Sequence, residues 1–341
     1  MKAIYLIKQG EAAGAFEIRE SSVPEAGDNQ ILIKVETFGL NFADVMTRRG
    51  LYKDAPPLPA VIGYEVVGIV ESFGDKVKNF EKGEKVLAFT RFGAYAEYAV
   101  ADQRAVVKIA ADTDNAIATA LCTQYCTAWY AAYHAAGIKA GEKVLIHAAA
   151  GGVGLALVEF CQLENAEVYA TAGSDEKIAF LRERGVEHSI NYRNADFVSK
   201  LAETDASLKM DVIFDPIGGT NFKRSKSLLG AGGRIITYGA SSQLDGRKGL
   251  INALRTLFGF GFFSPVGLIM SSTGIFGVNM LRIADQKPDL LQIILTNVVQ
   301  HYEEGKIKPY IAKTFSADKI HEAHHYLESR SSMGKIAVNW K

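Results

Sequence analysis

Eleven residues restrict the fold of this chain more than any other stretch: Val144-Leu145-Ile146-His147-Ala148-Ala149-Ala150-Gly151-Gly152-Val153-Gly154. An apolar strand enters, a turn of small residues follows, and a helical pattern leaves. Small residues let the backbone approach a pyrophosphate, and the helix N-terminus offers N–H groups and the positive end of its dipole. Ala149 stands where the first glycine of G-x-G-x-x-G belongs, while Gly151 and Gly154 fit. Alone, the motif also reads as a tight strand–helix turn. Its surroundings favour the first reading. Strand patterns at 143–147, 167–172, 189–192, 211–215 and 234–239 alternate with helical patterns at 153–164 and 174–184, and 275–279 can close the sheet. That alternation predicts an α/β fold, a doubly wound parallel sheet with helices on both faces.

The end of the second strand selects the nucleotide. An NAD site places Asp or Glu there to hold the ribose hydroxyls. Here Gly173 and Ser174 occupy the turn and Lys177 follows. A hydroxyl and an ammonium suit a 2′-phosphate, so NADPH is the expected cofactor. Lys177 also reads as a solvated helix lysine. Asp175 and Glu176 are expected to cap the next helix.

The first 110 or so residues have another texture. Short apolar or alternating runs at 2–7, 31–37, 65–71, 85–89 and 94–100 are punctuated by Gly and Pro, with a helix around 42–49, which makes a small β-rich domain. The 38 basic and 38 acidic residues balance to zero net charge, which leaves no basic footprint for nucleic acid. Three cysteines, Cys122, Cys126 and Cys161, without a CxxC pair, exclude a disulfide framework and a zinc ribbon. They fit a reducing compartment, so a cytoplasmic location is expected. Between Arg255 and Arg282, 26 residues carry no Asp, Glu, Lys, Arg or His. Five glycines and Pro265 break that run, and a buried strand plus an apolar flap is expected rather than a membrane span. Residues around Leu257, Phe258, Phe260, Phe262 and Phe263 are expected to leave an exposed apolar patch.

The order of Asn41-Phe42-Ala43-Asp44, Gly50-Leu51-Tyr52, Gly63-Tyr64-Glu65, 148–154 and Gly173-Ser174-x-x-Lys177 resembles the zinc-free quinone oxidoreductase group of the medium-chain dehydrogenase/reductase superfamily. The resemblance runs to Gly334-Lys335-Ile336, and residues 244–281 resemble the vesicle amine-transport-like branch. It implies a GroES-like catalytic domain of 1–120 and 284–341 and a Rossmann NADPH-binding domain of 121–283, with an apolar insertion at about 244–272. The first zinc-ligand position falls within 40–44, which holds no Cys, and the Gly-His-Glu of zinc-dependent relatives reads Gly63-Tyr64-Glu65, so no metal is expected. The resemblance also implies cofactor contacts at Thr127, Ala150, Gly151, Gly152, Val153, Gly154, Tyr192, Tyr238, Gly239, Ser241, Phe276, Val278 and Asn279. Tyr192 otherwise reads as a strand-end aromatic.

The implied reaction is hydride transfer from NADPH to a quinone or an α,β-unsaturated carbonyl. Tyr52 is the first choice as oxygen-side donor, with Tyr64 beside it. Asn41 and Asp44 are expected to organise the site, although Asn41 also fits a helix cap. A homodimer is expected, formed by pairing the edge strand near 275–279. A rival reading is a non-enzymatic NADPH-binding protein that docks on membranes or partner proteins.

Overall fold

The computed structural model describes residues 1–242, 259–261 and 263–340. They form two compact units, one of Met1–Cys126 with Met280–Lys341 and one of Thr127–Asn279.

The first unit begins with β1 (Lys2–Leu6), β2 (Phe16–Glu20), β3 (Gln30–Leu40), β4 (Ala60–Val61), β5 (Glu65–Phe73), β6 (Lys85–Phe89), β7 (Tyr98–Asp102) and β8 (Val106–Lys108). The second unit supplies β9 (Lys143–Ile146), β10 (Glu167–Ala172), β11 (His188–Asn191), β12 (Met210–Asp215), β13 (Leu229–Thr237) and β14 (Gly274–Gly277). The chain then returns to the first unit with β15 (Ile311–Ser316) and β16 (Lys335–Asn339).

In the first unit a three-stranded sheet runs β2-β1-β4 and a seven-stranded one runs β15-β16-β3-β5-β6-β8 with β7 also on β3. Alternate apolar residues of β3, β5 and β16 (Ile31, Ile33, Val66, Val70, Ile336, Val338) bury into one core. The strand expected at 94–100 is displaced to Tyr98–Asp102. The cause is Tyr95, whose ring is fully buried. Its backbone bonds to Ile4 and Ile62 instead of extending the strand. β16 lies antiparallel to β3 with Ile336 opposite Leu40, which carries Lys335 to the start of the helix Phe42–Arg48.

The second unit is a six-stranded sheet in the order β11-β10-β9-β12-β13-β14, parallel throughout. Counted from β9 this is 3-2-1-4-5-6, the doubly wound order whose direction of winding reverses between the first and fourth strands. Helices Phe197–Thr204 and Gly219–Lys226, absent from the sequence reading, complete the crossovers.

Leu257, Phe258 and Phe262 lie outside the described residues. Phe260 turns inward and packs on Phe222 with centroids 5.4 Å apart, so it does not belong to an exposed patch. Phe263 is exposed as expected, and further exposed apolar residues follow in the helix Pro265–Ser271: Val266, Ile269 and Met270, the last 82% exposed. Among the described residues no helix is long and apolar enough to cross a membrane.

Candidate functional site

In the second unit, β9 leads through residues 147–151 into the helix Gly152–Leu163, at the carboxyl end of the sheet beside the winding reversal. Such a crevice is where doubly wound sheets receive ligands. Ala148 takes a left-handed φ of 51° and Gly151 is the helix N-cap without a side-chain bond. The first-turn N–H groups of this helix have no intrahelical partners and point at the crevice. Gly154 cannot be replaced: a Cβ there would lie 2.5 Å from the Ala148 carbonyl oxygen and 2.7 Å from Ala149 Cα. The missing first glycine is tolerated because Ala149 is fully buried with its N–H on the Thr171 carbonyl at 3.0 Å. Ala150 is also buried. His147, not singled out by sequence, hydrogen-bonds Thr171 Oγ1 (2.9 Å) and Ser225 Oγ (2.8 Å). Burial pushes its pKa down to about 3, so it is a neutral strut beneath the loop.

At the end of β10 the structure gathers Gly173, Ser174, Lys177 and Tyr192. Tyr192 packs on Gly173, where a Cβ would meet its hydroxyl at 2.6 Å. Ser174, rather than Asp175 or Glu176, is the N-cap of the helix Asp175–Glu183, and its Oγ accepts the Lys177 N–H at 3.3 Å. Ser174 holds the cap position, and Asp175 and Glu176 occupy the first turn, where their charges complement the positive end of the helix dipole. Asp175 instead accepts from Asn191 Nδ2 at 2.7 Å. The Ser174 hydroxyl, accepting from the backbone, keeps its own proton for an anion. Burial lowers the Lys177 pKa, and the neighbouring Arg193 charge adds to the effect. Tyr192 itself is 40% exposed.

The remaining cofactor candidates line the same edge of the sheet or the start of the unit. Tyr238 follows β13 with its N–H on the Asp215 carbonyl, and Ser241 bonds the Pro216 carbonyl. Gly239 packs against Pro216, Phe276 is in β14, and Val278 is tied to Thr237. Asn279 is exposed and Thr127 is buried.

In the first unit Asn41, Asp44, Tyr64 and Glu65 converge, with Tyr52 half-buried beside them. Asn41 is the N-cap of the helix Phe42–Arg48, and Asp44 Oδ2 reaches back to the Asn41 N–H at 2.8 Å. The Asn41 side chain is spent elsewhere: Nδ2 donates to Glu65 Oε1 at 2.8 Å and Oδ1 accepts from Lys335 Nζ at 3.1 Å. Lys335 Nζ also donates to Glu65 Oε1 and to the Leu40 carbonyl. Glu65 Oε2 accepts the Thr123 N–H at 2.7 Å. This ion pair is completely buried. Sequence gave no sign that Glu65 and Lys335 pair, since 270 positions separate them.

The Tyr52 and Tyr64 rings meet edge to face at 6.1 Å and their hydroxyls interact. Thr47 Oγ1 lies 3.5 Å from the Tyr64 hydroxyl. Burial raises both phenol pKa values. Among the described residues no group of three or more His, Cys, Asp and Glu side chains is arranged to hold a metal ion.

Comparison with known proteins agrees with both units. Residues 27–111 match the alcohol dehydrogenase GroES-like domain and residues 184–338 match the family described as zinc-binding dehydrogenase. The human synaptic vesicle membrane protein VAT-1 homolog is 31% identical over 94% of this chain and 81% of its own length. Rat quinone oxidoreductase is 31% identical over 93% of this chain and 91% of its own. Among solved structures, Escherichia coli quinone oxidoreductase complexed with NADPH superposes with a TM-score of 0.86 at 26% identity, covering 99% of this chain and 100% of the other. The human VAT-1 homolog-like protein does so with a TM-score of 0.85 at 28% identity, covering 100% of this chain and 98% of the other.

Proposed function

Because the chain belongs to the medium-chain dehydrogenase/reductase superfamily, in its quinone oxidoreductase group, we propose that it is a zinc-independent, NADPH-dependent oxidoreductase that reduces a quinone or an α,β-unsaturated carbonyl. The observation that carries the nucleotide choice is the cluster of Ser174, Lys177 and Tyr192 on Gly173, with no acid at the end of β10. Gly154 leaves the cradle that a pyrophosphate needs, and the helix Gly152–Leu163 aims its N-terminus there. Bound NADPH supplies the hydride from C4 of its nicotinamide.

The chain's own residues bind, orient and protonate. Tyr52 donates to the acceptor oxygen, and Tyr64 stands behind it in the hydrogen-bonded order. Asn41 is held immobile between Glu65 and Lys335. The polar set does not fit zinc. It offers an amide, two phenols, the Asp44 carboxyl bonded to the Asn41 N–H and the Glu65 carboxylate taken by an ammonium, and that ammonium repels a divalent cation. A site without a Lewis acid favours acceptors that need little activation, which quinones and enones are.

The test is a nucleotide titration followed by a panel of quinones and enones. NADPH is expected to bind at least about tenfold more tightly than NADH, and Lys177→Ala should weaken NADPH while leaving NADH nearly unchanged. Equal affinities for the two nucleotides would remove the 2′-phosphate reading. Turnover should survive chelators, and a stoichiometric zinc needed for activity would refute the zinc-independent reading.

A second reading rests on one observation. Val266, Ile269 and Met270 expose an apolar helical face, which suits docking on a membrane or partner protein. Flotation with liposomes by a protein that reduces no quinone or enone would favour it.

A further inference from the structure

We propose that Asp44 is a positioning residue held as a neutral carboxylic acid, that its neutrality keeps the Tyr64–Tyr52 pair acidic enough to protonate the reduced acceptor, and that its ionisation in alkaline solution shuts this delivery off. This rests on the reading of Tyr52 as the oxygen-side donor.

The argument begins with counting charges. Asp44 and Glu65 are both fully buried and face a single ammonium, Lys335. Lys335 sits directly on Glu65, and Glu65 collects two further donors, Asn41 Nδ2 and the Thr123 N–H, while the ammonium is also held on the Leu40 carbonyl. Asp44 accepts the Asn41 N–H at Oδ2 and takes a hydrogen bond from the neighbouring Tyr95 hydroxyl, and neither donor carries a charge. One buried cation can neutralise one carboxylate. Glu65 is the ionised member, and a proton on Asp44 leaves the cluster neutral overall.

The groups facing Asp44 come from every element packed against it. Tyr64 and Glu65 face it from the start of β5, Lys335 from β16, Tyr52 from the loop after the helix, and Tyr95 from the segment before β7. His324 lies beyond Tyr95, its Nε2 3.1 Å from the Tyr95 hydroxyl, and burial keeps it neutral. On the helix itself, Arg48 is turned away to the Gly10 carbonyl and Glu328. Burial, with the Glu65 charge, outweighs the Asn41 N–H, the Lys335 ammonium and the Tyr95 hydroxyl and pushes the Asp44 pKa up to about 8. Once ionised, its negative charge raises the pKa of Tyr64 and of Tyr52, making both poorer acids.

The proton accounting closes without moving the proton of Asp44. The acceptor gains a hydride from the dihydronicotinamide, which is oxidised. The Tyr52 O–H bond breaks as the acceptor O–H bond forms, and the phenolate is reprotonated from Tyr64 and solvent. Asp44 acts only through its field.

The experiment is the pH profile of kcat for 1,4-naphthoquinone and for an enone at saturating NADPH, from about pH 6 to 10, on wild type and Asp44→Asn. The wild type should lose at least about tenfold between pH 6.5 and 9.5, and in Asp44→Asn the ratio of the two rates should be near one. A limb of the same position and depth in both proteins overturns the proposal. A second measurement needs no variant: the solvent deuterium isotope effect on wild-type kcat should rise across the limb, and a flat one overturns the proposal. Glu65→Gln, which removes a like charge and frees Lys335 for Asp44, should move the limb at least about one pH unit lower. A limb that stays in place counts against the charge argument. A wild type that binds NADPH but reduces neither acceptor at any pH defeats the functional reading and the switch with it, whereas an active enzyme with a flat profile defeats the switch alone.

Discussion

At the residue scale the molecule keeps unusual protonation states in its interior, and these set its response to pH. His147 and His324 are fully buried and bind a proton less readily than an unfolded chain does, His147 only near pH 3. As pH falls below the ordinary imidazole value of 6.5, the unfolded state gains protons that the folded state refuses, and stability is lost. Asp44 works in the opposite sense. It keeps its proton in the folded state up to about 8, while the unfolded carboxyl releases it near 3.8, so raising pH through that window costs stability. Asp215, whose pKa burial also raises, acts in the same sense as Asp44; the two histidines oppose both acids below about pH 6.5 and contribute no further change above it. The thermal midpoint should therefore peak near pH 6.5 and decline toward 8. Asp44→Asn should flatten the decline. A wild-type midpoint that climbs steadily to pH 9 would contradict the assigned states.

At the scale of elements, the turn from β9 into the helix Gly152–Leu163 shows how close packing overrides local propensity. Alanine is a better helix former than glycine by about 1 kcal/mol, so Gly154→Ala would stabilise an isolated helix. Here the added methyl would strike the Ala148 and Ala149 backbone at 2.5 and 2.7 Å. The variant should lose about 1–3 kcal/mol of stability and bind NADPH more weakly, both read by denaturant titration with and without nucleotide. This element was legible because strand, small-residue turn and helix follow one another within a dozen residues. The helical stretch that opens with Asn115–Ala120 was not. Its residues 115–136 are almost all apolar or small, with a π-helical turn at Leu121–Tyr125, and a helix buried on all sides has no amphipathic period to find. Cys122 and Cys126 are buried in this stretch with raised pKa values, as core thiols should be.

At the scale of the whole molecule, β14 ends the six-stranded sheet, with Phe276 37% exposed on it. Edge strands of this kind pair or are blunted. A homodimer joined along β14 is expected in light scattering at micromolar concentration, and Phe276→Lys should shift it toward monomer. A wild-type monomer would place the oligomer reading in error. The sequence by itself determined the parallel nucleotide sheet, its glycine turn and the bare, acid-free end of β10, because each is written in residues that are neighbours along the chain. It also marked Asn41, Asp44, Tyr52 and Tyr64 as a set, through their short motifs. Only the tertiary structure decided their charges. β16 returns from the far end of the chain to lie on β3, and it brings Lys335 to Glu65 across 270 positions. That one long-range pairing gives Glu65 the buried ammonium and leaves Asp44 without a charged partner of its own, since the pairing of buried charges depends on which opposite charge the fold brings nearby and on the loss of water, and neither is encoded in local sequence.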